Sequence, residues 1–119
     1  MKAPLQLYKS IIDGLAQLYE GVYRAWVTEK GWPKIPENTK VNKFIENLSN
    51  EDKEILVRIL EEARSSGIHD TLVYFNERMS IEGLRFVEKG VEMAHEPFDT
   101  ELYYDWVCRR EGDSWPDEE

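Results

Sequence analysis

The sequence contains a single cysteine, Cys108, and only two histidines, His69 and His95. One cysteine cannot form a disulfide within the chain, so the sequence carries no mark of an oxidising compartment. Neither histidine belongs to a His-x-x-x-His or Cys-x-x-Cys pair, and a zinc site would therefore have to collect its ligands from separate elements. We predict that the protein binds no metal and needs no cofactor.

Long apolar runs are also missing. The longest uncharged apolar stretch is far below the roughly 20 residues that a membrane-spanning helix needs. The N-terminus, "MKAPLQLYKSIIDGL", lacks the apolar block and the small-residue cleavage site of a signal peptide. We therefore expect a cytoplasmic protein that does not enter a membrane.

Recognisable catalytic motifs are absent from the sequence. It contains no Gly-x-Ser-x-Gly, no Gly-rich phosphate loop and no His-Glu-x-x-His. Two interpretations of Cys108 remain. Arg109 and Arg110 would lower the pKa of a nearby thiol and activate it, whereas a lone cysteine in a helix is usually a small buried apolar residue. We favour the second interpretation and predict no catalytic residue.

Positive charge is scarce in most of the chain. The 119 residues carry 15 Lys and Arg against 24 Asp and Glu, a net charge of −9. Residues 1–44 have a net charge of +3, whereas residues 45–119 have a net charge of −12. Such a chain repels phosphate backbones, which disfavours nucleic acid as a partner and favours a basic protein.

Apolar residues are nevertheless sufficient for a core. The composition is 41% hydrophobic and 12% aromatic, which is typical of a folded domain and not of a disordered chain. We predict a single globular domain over residues 1–119 that is mainly α, a compact bundle of four to five helices. Residues 113–119 are either packed on the domain or form an extended tail.

Apolar spacing and capping residues predict where the helices lie. The first is a long amphipathic helix over residues 4–29, and a short helix follows near residues 39–48. Ser49 is expected to cap the next helix, which ends at Gly67, with Ile55, Leu56, Ile59, Leu60 and Ala63 on its buried face. Asp70 is expected to cap a further helix to about residue 79. Asp99 or Thr100 caps the last helix, which ends before Gly112.

Residues 84–94 fit two structures. Their apolar positions agree with a helix, and they also agree with two short strands that turn at Lys89-Gly90. Gly83 and Gly90 would weaken a helix, and we therefore favour a small β-hairpin.

The C-terminal stretch "LYYDWVCRREGDSWPDEE" carries the candidate binding residues. Tryptophan and arginine are the residues that most often supply interface energy. Trp115 follows the glycine stop of the last helix, so it either folds back on the domain or is exposed to a partner, and we favour the first. The candidate set is Tyr103, Trp106, Arg109, Arg110, Trp115 and, from the end of the first helix, Trp26.

Three hypotheses about function remain open. The favoured one is a non-enzymatic protein-binding, inhibitor or accessory module, because the chain is acidic and lacks catalytic motifs. The alternative is a small enzyme or ligand-binding domain, with Trp106, Tyr103 and Trp26 around a pocket and an arginine that holds an anion. The third is a homo-oligomer that pairs through a stripe of Gly14, Leu18, Gly21 and Ala25 on the first helix.

Overall fold

The structure is a computed structural model that describes residues 2–19 and 21–118. The chain divides into two compact units, the terminal unit of Met1–Tyr19 with Ser66–Glu119 and the middle unit of Glu20–Ser65. The described residues form five α-helices and a two-stranded hairpin, so the prediction of a mainly α fold with a small hairpin is confirmed. None of the helices in these residues combines the length and the apolar character needed to cross a membrane.

The first helix, α1, spans Pro4–Ala16, and the prediction of one helix over residues 4–29 is wrong. A 3₁₀ turn follows at Gln17–Tyr19, where Leu18 leaves helical geometry with φ −83° and ψ 18°. Gly14 and Gly21 flank this turn, and each weakens a helix by about 1 kcal/mol relative to alanine. The glycine stripe proposed for self-association is therefore not a continuous helical face.

The middle unit begins with short helical segments. Helix α2 is the single turn Tyr23–Ala25, and it continues directly as a π-helix, Trp26–Lys30. Helix α3 spans Thr39–Glu46, close to its predicted place. The Asn42 side chain accepts a hydrogen bond from the Trp32 N–H at 2.7 Å and donates one to the Trp32 carbonyl at 3.2 Å. These bonds hold the segment that contains Trp32, between the π-helix and α3, against α3.

Helix α4 spans Asn50–Glu82 as one continuous helix, so the predicted stop at Gly67 is wrong. The predicted cap is present, since Ser49 Oγ accepts a hydrogen bond from the Asp52 N–H at 3.1 Å. The helix ends instead at Gly83, whose φ of 74° is a left-handed conformation that glycine adopts without strain.

Burial on both sides of Gly67 explains why the helix continues. Residues 50–65 of α4 belong to the middle unit and bury Val57, while residues 66–82 belong to the terminal unit and bury Leu72 and Met79. The free energy of this burial exceeds the roughly 1 kcal/mol that one helical glycine costs. Asp70, predicted as a helix cap, is an exposed residue within α4.

The hairpin consists of β1, Val87–Glu88, and β2, Val91–Glu92, paired antiparallel. Lys89 has a φ of 49° and Gly90 a φ of 81°, the two positive values that a tight type I′ turn requires. The predicted turn at Lys89-Gly90 is therefore confirmed.

Helix α5, Leu102–Arg110, follows the hairpin and completes the terminal unit. Glu101 occupies the N-cap position, one or two residues later than the predicted Thr100 or Asp99. Asp99 adopts a left-handed φ of 60°, and the Thr100 hydroxyl donates a hydrogen bond to the Asp105 side chain within α5. The core of this unit contains the following buried side chains: Leu7, Tyr8, Ile12, Leu72, Met79, Met93, Leu102, Trp106 and Trp115.

Candidate functional site

Trp106 lies at the centre of α5 and is only 2% exposed. The first turn of this helix is held by Asn76, whose side-chain oxygen accepts a hydrogen bond from the Leu102 N–H at 2.9 Å. Leu102 and Trp106 are one helical turn apart, so this anchoring directs both into the core of the terminal unit. Trp106 is a core residue and has little surface to offer a ligand.

Trp115 follows the glycine stop and folds back on the same core, with 3% exposure. Its ring packs against Tyr8 and Phe98, with centroid distances of 6.1 and 5.6 Å. Its Nε1 donates a hydrogen bond to Asp13 Oδ2 at 3.3 Å. Of the two positions considered for Trp115, the structure shows the packed one.

The two arginines also have partners within the terminal unit. Arg109 Nε donates to Asp13 Oδ1 at 2.7 Å, and the guanidinium lies 4.9 Å from the centre of the Trp115 ring. The Arg110 guanidinium lies 4.6 Å from the centre of the Trp106 ring, and Arg110 itself is exposed. Arg109 is therefore a structural ion pair, while Arg110 covers an indole from the solvent side.

Tyr103 and Trp26 belong to different units. Tyr103 is half-buried in the terminal unit, where its ring centre lies 5.3 Å from that of His69. Trp26 is half-buried in the middle unit, with its ring centre 6.0 Å from Tyr23 and 5.1 Å from Trp32. The role of these residues in binding remains a prediction.

A cleft of about 290 Å³ runs beside α5, and its walls include Thr100, Tyr104, Asp105, Cys108, Arg109 and Trp115. Burial raises the pKa of the Cys108 thiol, and the carboxylates of Asp113, Asp105 and Glu111 raise it further, against an opposing hydrogen bond with Tyr104. The alternative in which the arginines activate the thiol is not supported, because Arg109 is bound to Asp13 and Arg110 lies over the Trp106 ring. The thiol is consequently poorly activated as a nucleophile.

The buried carboxylate of Asp105 forms the polar centre of the terminal unit. The Tyr8 hydroxyl donates a hydrogen bond to Asp105 Oδ2, and the Thr100 hydroxyl donates one to Asp105 Oδ1 at 2.6 Å. Burial raises the pKa of the Tyr8 phenol above its ordinary range, and the hydrogen bond to Asp105 adds to this effect. Both carboxyl oxygens of Asp105 are thus hydrogen-bonded within the protein, as buried polar groups generally are.

The middle unit presents a different surface. Val57 is completely buried with Val27 and Ile45, whereas Ile55 and Ile59 of α4 are 52% and 55% exposed. The predicted buried face was therefore wrong in part. Leu56 and Leu60 pack against the core as expected, but Ile55, Ile59 and Ala63 are exposed.

We call this outward side of α4 the outer face and define it by Glu51, Asp52, Ile55, Ile59, Glu62 and Ala63, all of them exposed. These residues recur at helical spacing, so the two isoleucines lie between carboxylates on one side of the helix. On α3, Val41 and Phe44 are also exposed, at one-turn spacing. The sequence signal for the outer face was the surplus of apolar residues between positions 55 and 60, more than one helical face can bury.

In residues 2–19 and 21–118, no group of three or more His, Cys, Asp or Glu side chains is arranged to hold a metal ion. His95 Nε2 lies 3.2 Å from Ser80 Oγ, and its other ring nitrogen is buried without a hydrogen-bond partner in the described part of the chain. Among the described residues no carboxylate bonds to that nitrogen, so the Ser80 and His95 pair lacks the third group of a Ser-His-Asp triad.

Comparison with known proteins gives the family. A family model described as "Family of unknown function (DUF6547)" matches residues 1–117. No curated protein and no solved structure matches the chain. The protein therefore belongs to the family of unknown function DUF6547.

Proposed function

We propose that this protein is a non-enzymatic protein-binding module and that its contact surface is the outer face of α4. The observation that carries the proposal is the exposure of Ile55 and Ile59, at 52% and 55%, on the side of the helix opposite the buried Val57. Large apolar side chains grouped on one helix face and rimmed by polar residues are typical of protein interaction sites.

The small core of the middle unit supports the same proposal. Among the described residues of this unit three apolar side chains are buried, Val27, Ile45 and Val57, while Val41 and Phe44 on α3 remain exposed together with the two isoleucines of α4. Helices with apolar residues on two sides are expected to bury the second side against another molecule. A bound partner would remove this apolar surface from water.

The alternative, a small enzyme or ligand-binding domain, receives less support. Its pocket would need Trp106 and one arginine to face a ligand, but Trp106 is buried, Arg109 is bound to Asp13 and Arg110 lies over the Trp106 ring. The cleft beside α5 contains a thiol whose pKa is raised and a carboxylate whose two oxygens are both occupied.

Affinity capture from lysate of the source cells, followed by quantitative mass spectrometry, tests the proposal. The tagged wild-type chain is compared with Ile55→Ser/Ile59→Ser, because isoleucine and serine have similar helix propensity. We expect specific partners to be depleted at least about tenfold with this double variant, the loss of roughly 1.4 kcal/mol or more of binding free energy.

Ile81→Ser is the matched control, since Ile81 is a 74% exposed isoleucine of the same helix in the terminal unit. Each serine variant should change the free energy of unfolding by less than about 0.5 kcal/mol per site, which circular dichroism with urea checks. The same partners at the same abundance with the double variant would show that the outer face is not the contact surface.

A further inference from the structure

We propose that the partner of the outer face is a basic amphipathic helix, a polypeptide segment with apolar side chains at one-turn spacing surrounded by lysine or arginine. This inference rests on the proposed function and specifies the chemistry of its partner. It starts from the charged residues of the outer face, Glu51, Asp52 and Glu62, which are acidic and exposed, while the neighbouring Arg58 at the edge of this face is paired with Glu62.

The carboxylates of the outer face have unused capacity for a cation. In the part of the chain that the structure describes, no basic group lies within 4 Å of the Glu51 or Asp52 carboxylate. Glu62 is paired with Arg58 at 3.1 Å, but the two side chains are 67% and 82% exposed, so the pair is weak and easily exchanged. By contrast, Glu54, on another side of α4, is held by two hydrogen bonds from Arg24.

These positions enclose the isoleucines. Glu51 and Asp52 lie about one turn before Ile55, and Glu62 lies about one turn after Ile59. A partner that covers the isoleucines therefore reaches the carboxylates as well. It would leave them desolvated and unpaired unless it supplied positive charge at the rim.

Other occupants fit less well. Membrane surfaces and nucleic acids carry phosphate groups, which exposed carboxylates repel. A second copy of this chain in a two-fold contact would bring the outer face against itself and place like charges in opposition. A helix is favoured over an extended segment because Ile55 and Ile59 are spaced one helical turn apart, as are the anchors of a helix that packs along another helix.

The proposal can be tested with defined peptides and the full chain. The probe is a fluorescein-labelled amphipathic peptide of about 18 residues built from Leu and Lys, and a Leu and Glu peptide with the same apolar pattern is the comparison. Fluorescence anisotropy measures binding to the wild type, to Glu51→Gln/Asp52→Asn/Glu62→Gln and to Ile55→Ser/Ile59→Ser. The matched charge control is Glu88→Gln/Glu92→Gln/Asp99→Asn, which removes the same charge from exposed positions of the terminal unit.

We expect the Leu and Lys peptide to bind the wild type at least about tenfold more tightly than the Leu and Glu peptide. The outer-face charge variant and the isoleucine variant should each weaken binding about tenfold, and the terminal-unit control by less than about twofold. Glu51 and Asp52 also stabilise the N-terminus of α4, so circular dichroism is recorded for each variant to exclude unfolding as the cause.

Failure of the two proposals would look different. If the isoleucine variant weakens binding but the outer-face charge variant behaves like the terminal-unit control, the surface stands and the basic partner is overturned. If the isoleucine variant binds the peptide as tightly as the wild type, the surface itself is wrong. Light scattering that shows a dimer of the wild type and a monomer of the isoleucine variant would overturn the basic partner in favour of a second copy.

Discussion

The terminal and middle units of this chain differ in net charge and in the size of the side chains that they bury. The terminal unit has a net charge of −8 and buries large residues, among them Tyr8, Trp106 and Trp115. The middle unit has a net charge of only −1, keeps Trp26 and Trp32 half-buried and, among its described residues, buries only the smaller apolar side chains Val27, Ile45 and Val57. Most of the overall charge of −9 thus lies in the terminal unit, whereas the outer face, the proposed contact surface, lies in the nearly neutral middle unit.

The largest effect that separates the units is expected from tryptophan removal. Trp106→Ala deletes a side chain that is 98% covered and should lower the free energy of unfolding by about 3–5 kcal/mol. Trp26→Ala is the same chemical change at a half-buried position of the middle unit, and we expect about 2 kcal/mol or less. Urea unfolding followed by circular dichroism measures both, and hydrogen exchange should place each loss in its own unit. Equal losses would contradict the difference in packing.

A smaller effect is expected from the buried hydroxyl of Tyr8. Tyr8→Phe removes a hydrogen bond to the Asp105 carboxylate, which should lower the free energy of unfolding by about 1.5–3 kcal/mol near neutral pH. The pKa of Tyr8 is raised in the folded chain, so the folded state keeps its proton while the unfolded state loses it above pH of about 10.

The wild type should therefore lose stability as the pH rises above that value, and its advantage over Tyr8→Phe should shrink. Tyr74→Phe, at an exposed tyrosine, is the control and should lower stability by less than about 0.5 kcal/mol. An advantage that stays constant to strongly alkaline pH would mean that Tyr8 is not bound as described.

The smallest effect concerns α4, whose residues are divided between the two units. Gly67→Ala should raise the free energy of unfolding by up to about 1 kcal/mol, because Gly67 is helical and nothing lies within 4 Å of its missing Cβ. Gly83→Ala should lower it by about 1 kcal/mol, since its φ of 74° strains any other residue. Thermal unfolding measures both. A Gly67→Ala that destabilises would indicate that α4 is interrupted there in solution.

Local signals in the sequence were sufficient for some elements. The hairpin could be predicted because a turn with two positive φ values depends on Lys89-Gly90 and the residues beside it. The end of α5 could be predicted for the same reason, since Gly112 adopts a φ of 92° directly after the helix. Both depend on backbone conformations that only a few residue types adopt easily.

Helix length could not be predicted in the same way. Gly67 and Asp70 are local signals for the end and the start of a helix. Helix α4 nevertheless continues past both, because it buries apolar side chains before and after them. The opposite error occurred at residues 4–29, where the periodicity continues although α1 ends at Ala16. A helix that packs against two cores can change its buried face along its length. Hydrophobic periodicity does not show at which residue this change occurs.

The candidate site was only partly accessible from sequence. The environment of Trp115 is set by Tyr8, Asp13 and Phe98, two of which lie more than 100 positions away along the chain. Their proximity is a property of the fold and leaves no local pattern. Likewise, the apolar residues between positions 55 and 60 cover more than one side of α4, and only the position of Val57 in the core decides which side is exposed.

The distribution of the four tryptophans gives the protein two optical reporters. Trp106 and Trp115 are buried in the terminal unit, while Trp26 and Trp32 are half-buried in the middle unit. A small neutral quencher in solution therefore reaches the second pair before the first, and the emission that survives quenching originates mainly in the terminal unit. Intrinsic fluorescence can thus follow one unit while the other changes, without a label or an added residue.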